Sequence, residues 1–124
     1  MLFLRRDDHE YLCVLRINTS VLDLPGVVIA DRNAASDYVR WGPSPGALSL
    51  IDADMVFAEF WTHPGNQIQE WRHKSAKCAE ALVPNRVEAG LIQGAWVSCE
   101  RGKTELSVLA PALEVSVNAH LFFL

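Results

Sequence analysis

The chain of 124 residues has the size of one globular domain, and folding at this length buries enough surface to build a single core. Half of the residues are hydrophobic and 21% are charged, which excludes a disordered, collagen-like or low-complexity chain. The net charge of −4 provides no general attraction for a polyanion, so any contact with nucleic acid must come from a local basic patch.

The first part of the chain predicts two buried strands. Residues 11–17 form a nearly continuous hydrophobic run, from which we expect a central strand covered on both faces. A turn signal at 24–26 precedes a second short strand at 27–30, which ends in the polar segment 31–33. Because polar loops after buried strands often carry functional residues, Asn33 is a candidate either for a ligand contact or for capping the next turn.

Two helices are expected in the middle of the chain. After a loop at 41–46 that is rich in Pro and Gly, Asp52 is a suitable N-cap for a first amphipathic helix. The apolar stripe of this helix, which we expect to pack in the core, comprises Ala53, Val56, Phe57 and Phe60. Asn66 and Gln69 approximate a capping box for a second helix that ends near Ser75. The inward face of this second helix is expected to carry two large apolar residues, Ile68 and Trp71.

The last part of the chain predicts three more short strands and a weak helix. The strands are expected at 78–83, 91–97 and 113–117, and the helix at 99–110. Strands and helices therefore mix without a regular strand–helix–strand pattern. This order predicts an α+β fold, in which a single domain spanning residues 1–124 combines a mixed sheet with a few short helices.

Glu80 is the most unusual residue of these elements, because it stands in the middle of an apolar strand. On a period of two it shares one face with Cys78 and Leu82, so a buried or cleft-lining carboxylate there needs a partner. Cations stand just upstream of it: Arg72, Lys74 and Lys77. These cations either complement the helix dipole or hold phosphates of a ligand next to Glu80. Three aromatic side chains of the preceding segments, Tyr38, Trp41 and Trp61, either pack in the core or stack on a base.

Cysteine and histidine usage is typical of a reduced protein without a metal. Three cysteines are spread along the chain without a Cys-x-x-Cys pair: Cys13, Cys78 and Cys99. Such a set indicates reduced thiols in the cytoplasm. His63, His73 and Cys78 lie near one another in sequence, but their spacing matches no zinc template. The first residues place their apolar positions before Arg5 and Arg6, the reverse of a secretory signal, and are too few to cross a membrane.

Several segments together resemble the DarT-type DNA ADP-ribosyltransferases. The run EWRHKSAKCAEALVPNRV at 70–87 is similar to the segment of that family that carries the catalytic glutamate. In that segment a basic helix end leads into a strand and then into LVP. SVLDLPGVVIADRNAAS at 20–36 resembles the family's strand and DGNAAS-like loop, with Arg32 where the family commonly has a small residue. FWTHP and the closing VNAHLFF are similar to later segments, so the resemblance covers nearly the whole chain.

The resemblance implies NAD-dependent transfer of ADP-ribose to a base in single-stranded DNA, by the toxin of a toxin–antitoxin pair. It implies that Glu80 is catalytic and that five residues contact DNA or phosphate: Arg72, Lys74, Lys77, Tyr38 and Trp61. It also implies a macrodomain-type antitoxin as a partner. Family members are considerably longer, and this chain resembles the C-terminal half of their fold. We therefore expect much of the NAD pocket of the family to have no counterpart in these residues.

Two other interpretations stay open from the residues alone. In the first, the chain is a catalytically inactive remnant that keeps a DNA-contacting half. In the second, it is an interaction domain in which Glu80 is simply a paired charge. A Gly-rich phosphate loop, a Walker motif and a Gly-x-Ser-x-Gly elbow are all absent from the sequence, which removes the commoner nucleotide-binding and hydrolase classes.

Overall fold

The computed structural model describes residues 2–122 and 124, and contacts group the chain into two compact units. The first unit combines Met1–Asn18 with Glu88–Leu124, and the second is the continuous segment Thr19–Val87. Met1, and Phe123 in the closing VNAHLFF segment, lie outside the described residues. The single-domain organisation stays a prediction.

The described residues form short strands and helices in mixed order, which confirms the predicted α+β class. The strands are β1 (Cys13–Ile17), β2 (Val28–Ala30), β3 (Trp41–Pro43), β4 (Glu80–Leu82), β5 (Ile92–Val97) and β6 (Val115–Val117). The α-helices are α1 (Ala53–Phe57), α2 (Gln67–Ala76) and α3 (Glu100–Leu109). Short 3-10 segments lie at Leu2–Tyr11, Thr19–Asp23, Gly46–Leu50, Ala89–Leu91 and Ala119–Phe122. None of the helices within residues 2–122 has the length and apolar character to cross a bilayer.

Strand β5 is the centre of the sheet in the first unit. It pairs antiparallel with β1 and parallel with β6, and α3 connects it to β6. This strand–helix–strand connection is one that the sequence interpretation missed. Gly102 of α3 is buried, and a Cβ at this position would lie only 3.2 Å from the carbonyl oxygen of Glu10. The absence of a side chain therefore allows α3 to pack closely against this part of the chain. The buried apolar residues of this unit are Ala95, Val97, Val115 and Phe122.

The prediction that residues 11–17 form a central strand is wrong. Among the described residues, strand β1 pairs with β5 alone and lies at the edge of its sheet, with Leu15 exposed. Hydrophobicity along a strand does not distinguish a centre from an edge. The central place of β5 depends instead on the α3 crossover, which brings β6 to the side of β5 opposite β1.

Strand β2 is the centre of the sheet in the second unit. It pairs antiparallel with β3 on one edge and with β4 on the other. Ile29 and Ala30 are almost fully inaccessible to solvent, which confirms the buried strand predicted at 27–30. The predicted loop at 41–46 begins instead as β3, an edge strand, where Pro43 is tolerated because the outer edge requires no donor.

Both predicted helix caps are present, but the predicted core faces of α1 and α2 are wrong. Asp52 accepts a hydrogen bond from the Met55 amide, and Asn66 accepts one from the Gln69 amide. Helix α1 ends at Phe57 because Ala58 is extended, so Phe60 falls outside the helical repeat. The side chains expected in the core are exposed instead: Phe57 (82%), Phe60 (78%), Ile68 and Trp71.

Glu80 begins its strand rather than occupying the middle of it. Cys78 and Ala79 are still in turns that return to the carbonyl oxygens of Ser75 and Ala76. Helix α2 and its terminal turns therefore use the residues that were predicted as the start of the strand.

Gly94 of β5 has no room for a side chain, because the backbone just before β6 lies against it. This close packing leads to a prediction about stability. A Cβ at Gly94 would lie 2.7 Å from the carbonyl oxygen of Glu114, which accepts the hydrogen bond of the Ala95 amide. We expect Gly94→Ala to lower the free energy of unfolding by about 1–3 kcal/mol in urea denaturation. Gly90→Ala is the matched control, since nothing lies within 4 Å of a Cβ there. Equal unfolding midpoints for the two variants would contradict the prediction.

Candidate active site

The register of the second sheet places Glu80 in a row of three residues that cross the strands. Ala30 of β2 is paired with Glu80 of β4 on one side and with Trp41 of β3 on the other. Directly opposite residues of paired strands point to the same face of a sheet, so the carboxylate and the Trp41 ring share one face. Glu80 and Trp41 are both exposed, and the small Ala30 between them is buried.

The loop after β2 holds the carboxylate of Glu80. The Ala34 amide donates to Oε1 of Glu80 at 2.7 Å. Asn33 turns the loop, because its Oδ1 accepts from the Ala35 amide at 2.8 Å and its carbonyl oxygen accepts from the Ser36 amide at 2.9 Å. Asn33 thus has the capping role that the sequence left open, and the partner of Glu80 is a backbone amide rather than one of the upstream cations.

A buried carboxylate bound by two arginines lies where this loop begins. We call Asp31, Arg32 and Arg40 the Asp31 cluster. Arg32 donates from Nε to Oδ1 and from Nη2 to Oδ2 of Asp31, each at 3.1 Å. Arg40 donates from Nε to Oδ2 at 2.7 Å and from its amide to Oδ1 at 2.9 Å. All four hydrogen bonds engage one side chain that is 2% exposed.

The electrostatics of the Asp31 cluster keep its carboxylate charged. Burial on its own would raise the pKa of Asp31, because it removes water from the anion. The hydrogen bonds from Arg32 and Arg40 outweigh burial and hold the pKa of the Asp31 carboxyl well below its usual range. The cluster therefore carries two guanidinium charges and one carboxylate charge at neutral pH.

An apolar groove of about 490 Å³ opens beside the row that contains Glu80. Its walls are Gly26, Val28, Trp41, Leu82, Val83 and Pro84. Leu82 and Val28 form the next cross-strand pair on the same face as Glu80, about 7 Å further along the strands. A flat ring bound in this groove would thus lie next to the carboxylate.

Helix α2 turns a polar face towards the rest of its unit. Its buried His73 places Nε2 2.9 Å from the carbonyl oxygen of Met55 and Nδ1 2.9 Å from Nε2 of His63. Because a carbonyl oxygen only accepts, His73 carries its proton on Nε2 when neutral and accepts from His63 through Nδ1. Glu70 accepts from the His63 amide at 3.3 Å. These bonds fasten the segment before α2 to the helix.

Lys77 completes this polar face. Its ammonium donates to the carbonyl oxygens of Val56 and Ala58, at 3.2 and 2.6 Å. Both carbonyls are left open where α1 ends, so the charge satisfies backbone acceptors. The structure therefore turns Lys77 to the end of α1, whereas DNA contact was predicted for it from the sequence.

The remaining predicted contact residues lie at the surface of the second unit. Arg72 is exposed on the face of α2 opposite His73, beside Ile68 and Trp71, and we call these three residues the outward face of α2. Lys74 is also exposed, and its ammonium lies 5.8 Å from the centre of the Trp61 ring. Tyr38 is exposed in the loop that leads from Ser36 to β3. The second unit thus exposes both cations and aromatic rings among these residues.

The chain also matches a known family along its length. A model of the family described as "ssDNA thymidine ADP-ribosyltransferase, DarT" matches residues 1–123. The chain belongs to the DarT family. This confirms the resemblance drawn from the segments around Asn33 and Glu80. No curated protein matches the chain.

Solved DarT structures share the fold of the chain. Thermosipho africanus DarTG in complex with ADP-ribose has a TM-score of 0.79 and 19% identity, over 100% of this chain and 33% of that one. Thermus sp. 2.9 DarT in complex with carba-NAD+ has a TM-score of 0.71 and 20% identity, over 86% of this chain and 56% of that one. The complex of the same protein with ADP-ribosylated ssDNA has a TM-score of 0.70 and 19% identity, over 86% of this chain and 52% of that one. The chain thus spans a third to just over half of these proteins.

Two parts of this candidate site were not found from the sequence. The Asp31 cluster was recognised only as a polar segment, because Arg40 is nine residues from Asp31 and nothing in the spacing shows that the loop returns. His63 and His73 were weighed as metal ligands or as surface or core residues, and their mutual hydrogen bond was not predicted. The described residues contain no group of three His, Cys, Asp or Glu side chains that could hold a metal ion.

The role of Lys77 in this DarT-family chain is testable by stability. Lys77→Met keeps the aliphatic stem and removes two hydrogen bonds, so we expect it to lower the free energy of unfolding by about 1–3 kcal/mol. Lys74→Met is the matched control in the exposed last turn of α2, with an expected change below about 0.5 kcal/mol. Urea denaturation of the purified proteins measures both. A Lys77→Met protein as stable as the wild type would leave the ammonium available for a ligand.

Proposed function

We propose that this chain is part of an enzyme that transfers ADP-ribose from NAD to thymine in single-stranded DNA. In this proposal the chain supplies the catalytic glutamate and the surface that binds the DNA acceptor. The observation that carries the proposal is the exposed Glu80 carboxylate, held by the Ala34 amide in a chain of the DarT family. The amide binds one oxygen of the carboxylate and leaves the other available to a substrate. The family description names the acceptor, and the related Thermus sp. 2.9 protein has been solved with NAD+ and with ADP-ribosylated ssDNA.

The chemistry requires one well-placed carboxylate. The bond between the ribose C1′ and the nicotinamide nitrogen breaks, its electron pair leaves with nicotinamide, and a cationic ribose centre develops at C1′. Glu80 stabilises that charge and accepts a hydrogen bond from a ribose hydroxyl. A ring nitrogen of thymine then forms the new bond to C1′, and its proton passes to Glu80 and on to solvent.

The outward face of α2 supports a single-stranded acceptor. Trp71 and Ile68 are large apolar side chains left in water, and Arg72 is exposed beside them on the same helix. Cations that follow a backbone, next to aromatic rings that stack on bases, are the usual surface for single strands. A base in a single strand is also reached without the cost of opening a duplex.

The same family membership supports a proposal about the cellular setting. We propose that the chain acts as a toxin in the cytoplasm, where its free cysteines stay reduced, and that a macrodomain-type antitoxin opposes it. The Thermosipho africanus match, DarTG, was solved with ADP-ribose bound.

Removal of the Glu80 charge is expected to abolish transfer without unfolding the protein. Glu80→Gln keeps the shape of the side chain, so transfer of labelled ADP-ribose from NAD to a thymine-containing oligonucleotide should fall by at least about a hundredfold. The melting temperature should change little, because the residue is exposed. The assay is run on the longest polypeptide encoded by the reading frame as well as on the 124 residues.

Glu59→Gln is the control, since it neutralises another exposed carboxylate of the chain. Full activity of Glu80→Gln would exclude the mechanism. A wild-type protein that binds the oligonucleotide but transfers nothing in either form would instead favour an inactive DNA-binding remnant.

Charge reversal on α2 is expected to weaken DNA binding. Arg72→Glu and Lys74→Glu should each reduce affinity for a single-stranded oligonucleotide about tenfold at low salt and lower the salt slope by about one. Fluorescence anisotropy across a salt series measures both quantities. Lys103→Glu in the first unit makes the same charge change on another helix. Equal losses in all three variants would indicate a general effect of net charge and remove α2 as the contact surface.

A further inference from the structure

The loop that holds Glu80 is closed at its base by two residues. Residues 31–40 leave β2 and return to β3, and the Asp31 amide donates to the Arg40 carbonyl oxygen at 3.1 Å. The Arg40 amide and Nε return two hydrogen bonds to the Asp31 carboxylate, at 2.9 and 2.7 Å. Three hydrogen bonds therefore join the two ends of the loop directly beyond the Ala30 and Trp41 pair.

The interior of the loop depends on this closure. The Ser36 amide donates to the carbonyl oxygen of Asn33, and the Val39 amide donates to that of Ser36. These two turns extend from the base to Ala34, whose amide holds Glu80 at 2.7 Å. The position of the Ala34 donor relative to β4 is therefore determined by where the base of the loop is fastened.

Burial makes the Asp31 carboxylate a rigid anchor. A charge that is 2% exposed costs several kcal/mol in lost hydration unless cations and donors surround it. Here all four of its hydrogen bonds are charge-assisted or come from the loop base itself, so the carboxylate has one favourable arrangement. Motion of Arg40 away from the base would leave this anion with a single guanidinium.

We propose that Asp31 is a positioning residue for Glu80. Its carboxylate closes the 31–40 loop through Arg40, and the loop presents the Ala34 amide that orients the Glu80 carboxylate. The proposal rests on the proposed function for the meaning of that orientation. Its structural content is independent of catalysis, because it concerns the Ala34 amide alone.

The two arginines are expected to differ. Arg40 is joined to Asp31 across the loop, so its side chain contributes to closure. Arg32 follows Asp31 directly in the chain, and its paired hydrogen bonds neutralise the carboxylate without joining the loop ends. Arg40→Gln should therefore loosen the loop, whereas Arg32→Gln, which removes the same charge from the same carboxylate, serves as the matched control.

Hydrogen exchange of individual amides tests the positioning directly. In Asp31→Asn and in Arg40→Gln, the Ala34 amide should exchange about fivefold or more faster, the expected effect of losing one hydrogen bond. The ladder amides of Ile29 and Leu82 should keep wild-type rates. Transfer assays should show kcat reduced about tenfold to a hundredfold with unchanged KM for NAD, as expected when a catalytic group is misplaced.

The exchange rates of the three variants decide whether Asp31 positions Glu80 through the loop. Faster exchange at Ala34 alone in Asp31→Asn and Arg40→Gln, but not in Arg32→Gln, supports the proposal. Unchanged exchange at Ala34 in Arg40→Gln overturns it, and so does equal acceleration at Ile29 and Leu82, which would show a general structural role. If Asp31→Asn does not fold, Arg40→Gln and Arg32→Gln still decide. An inactive wild type would defeat the proposed function while the exchange comparison still tests the positioning.

Discussion

The pairing of β2 along both of its edges is the constraint on which the candidate site depends. Because Ala30 is paired with Glu80 on one side and Trp41 on the other, residues from three distant parts of the sequence lie in one row. The same strand leads directly into Asp31, so the loop that begins there is already next to β4. A carboxylate, an aromatic ring and a backbone donor are thereby brought together by three-residue strands.

In the orientation of α2, hydrogen bonds to the open carbonyl groups of α1 outweigh the burial of apolar side chains. Three hydrogen bonds from His73 and Lys77 satisfy the carbonyl oxygens left open around α1. An unsatisfied buried carbonyl costs about 1–3 kcal/mol, similar to the gain from burying one large apolar side chain. Three such bonds thus compensate for leaving Ile68 and Trp71 in water. The result is a helix whose large apolar side chains face solvent.

The site and this surface answer different needs of the same proposed reaction. Glu80 requires a fixed geometry, and backbone hydrogen bonds on a loop closed by buried charges supply it. Contact with a flexible strand requires exposed cations and rings, and α2 supplies Arg72 and Trp71. The DarT family membership of the chain supports one proposed activity for these two features, while the chain spans 33% to 56% of the matched proteins.

Local signals in the sequence determined the caps at Asp52 and Asn66, the buried strand at 27–30 and the family to which Glu80 and its loop belong. Each of these depends on residues within a few positions of one another. Only the tertiary structure decided that β1 lies at an edge, that α2 faces inward with His73, and that Lys77 binds the end of α1. It also decided that Arg40 returns to Asp31. The physical reason is that open carbonyl groups and buried charges form hydrogen bonds with donors that are distant in the sequence. Hydrophobic periodicity describes only which residues of one element share a face, so it does not predict these partners.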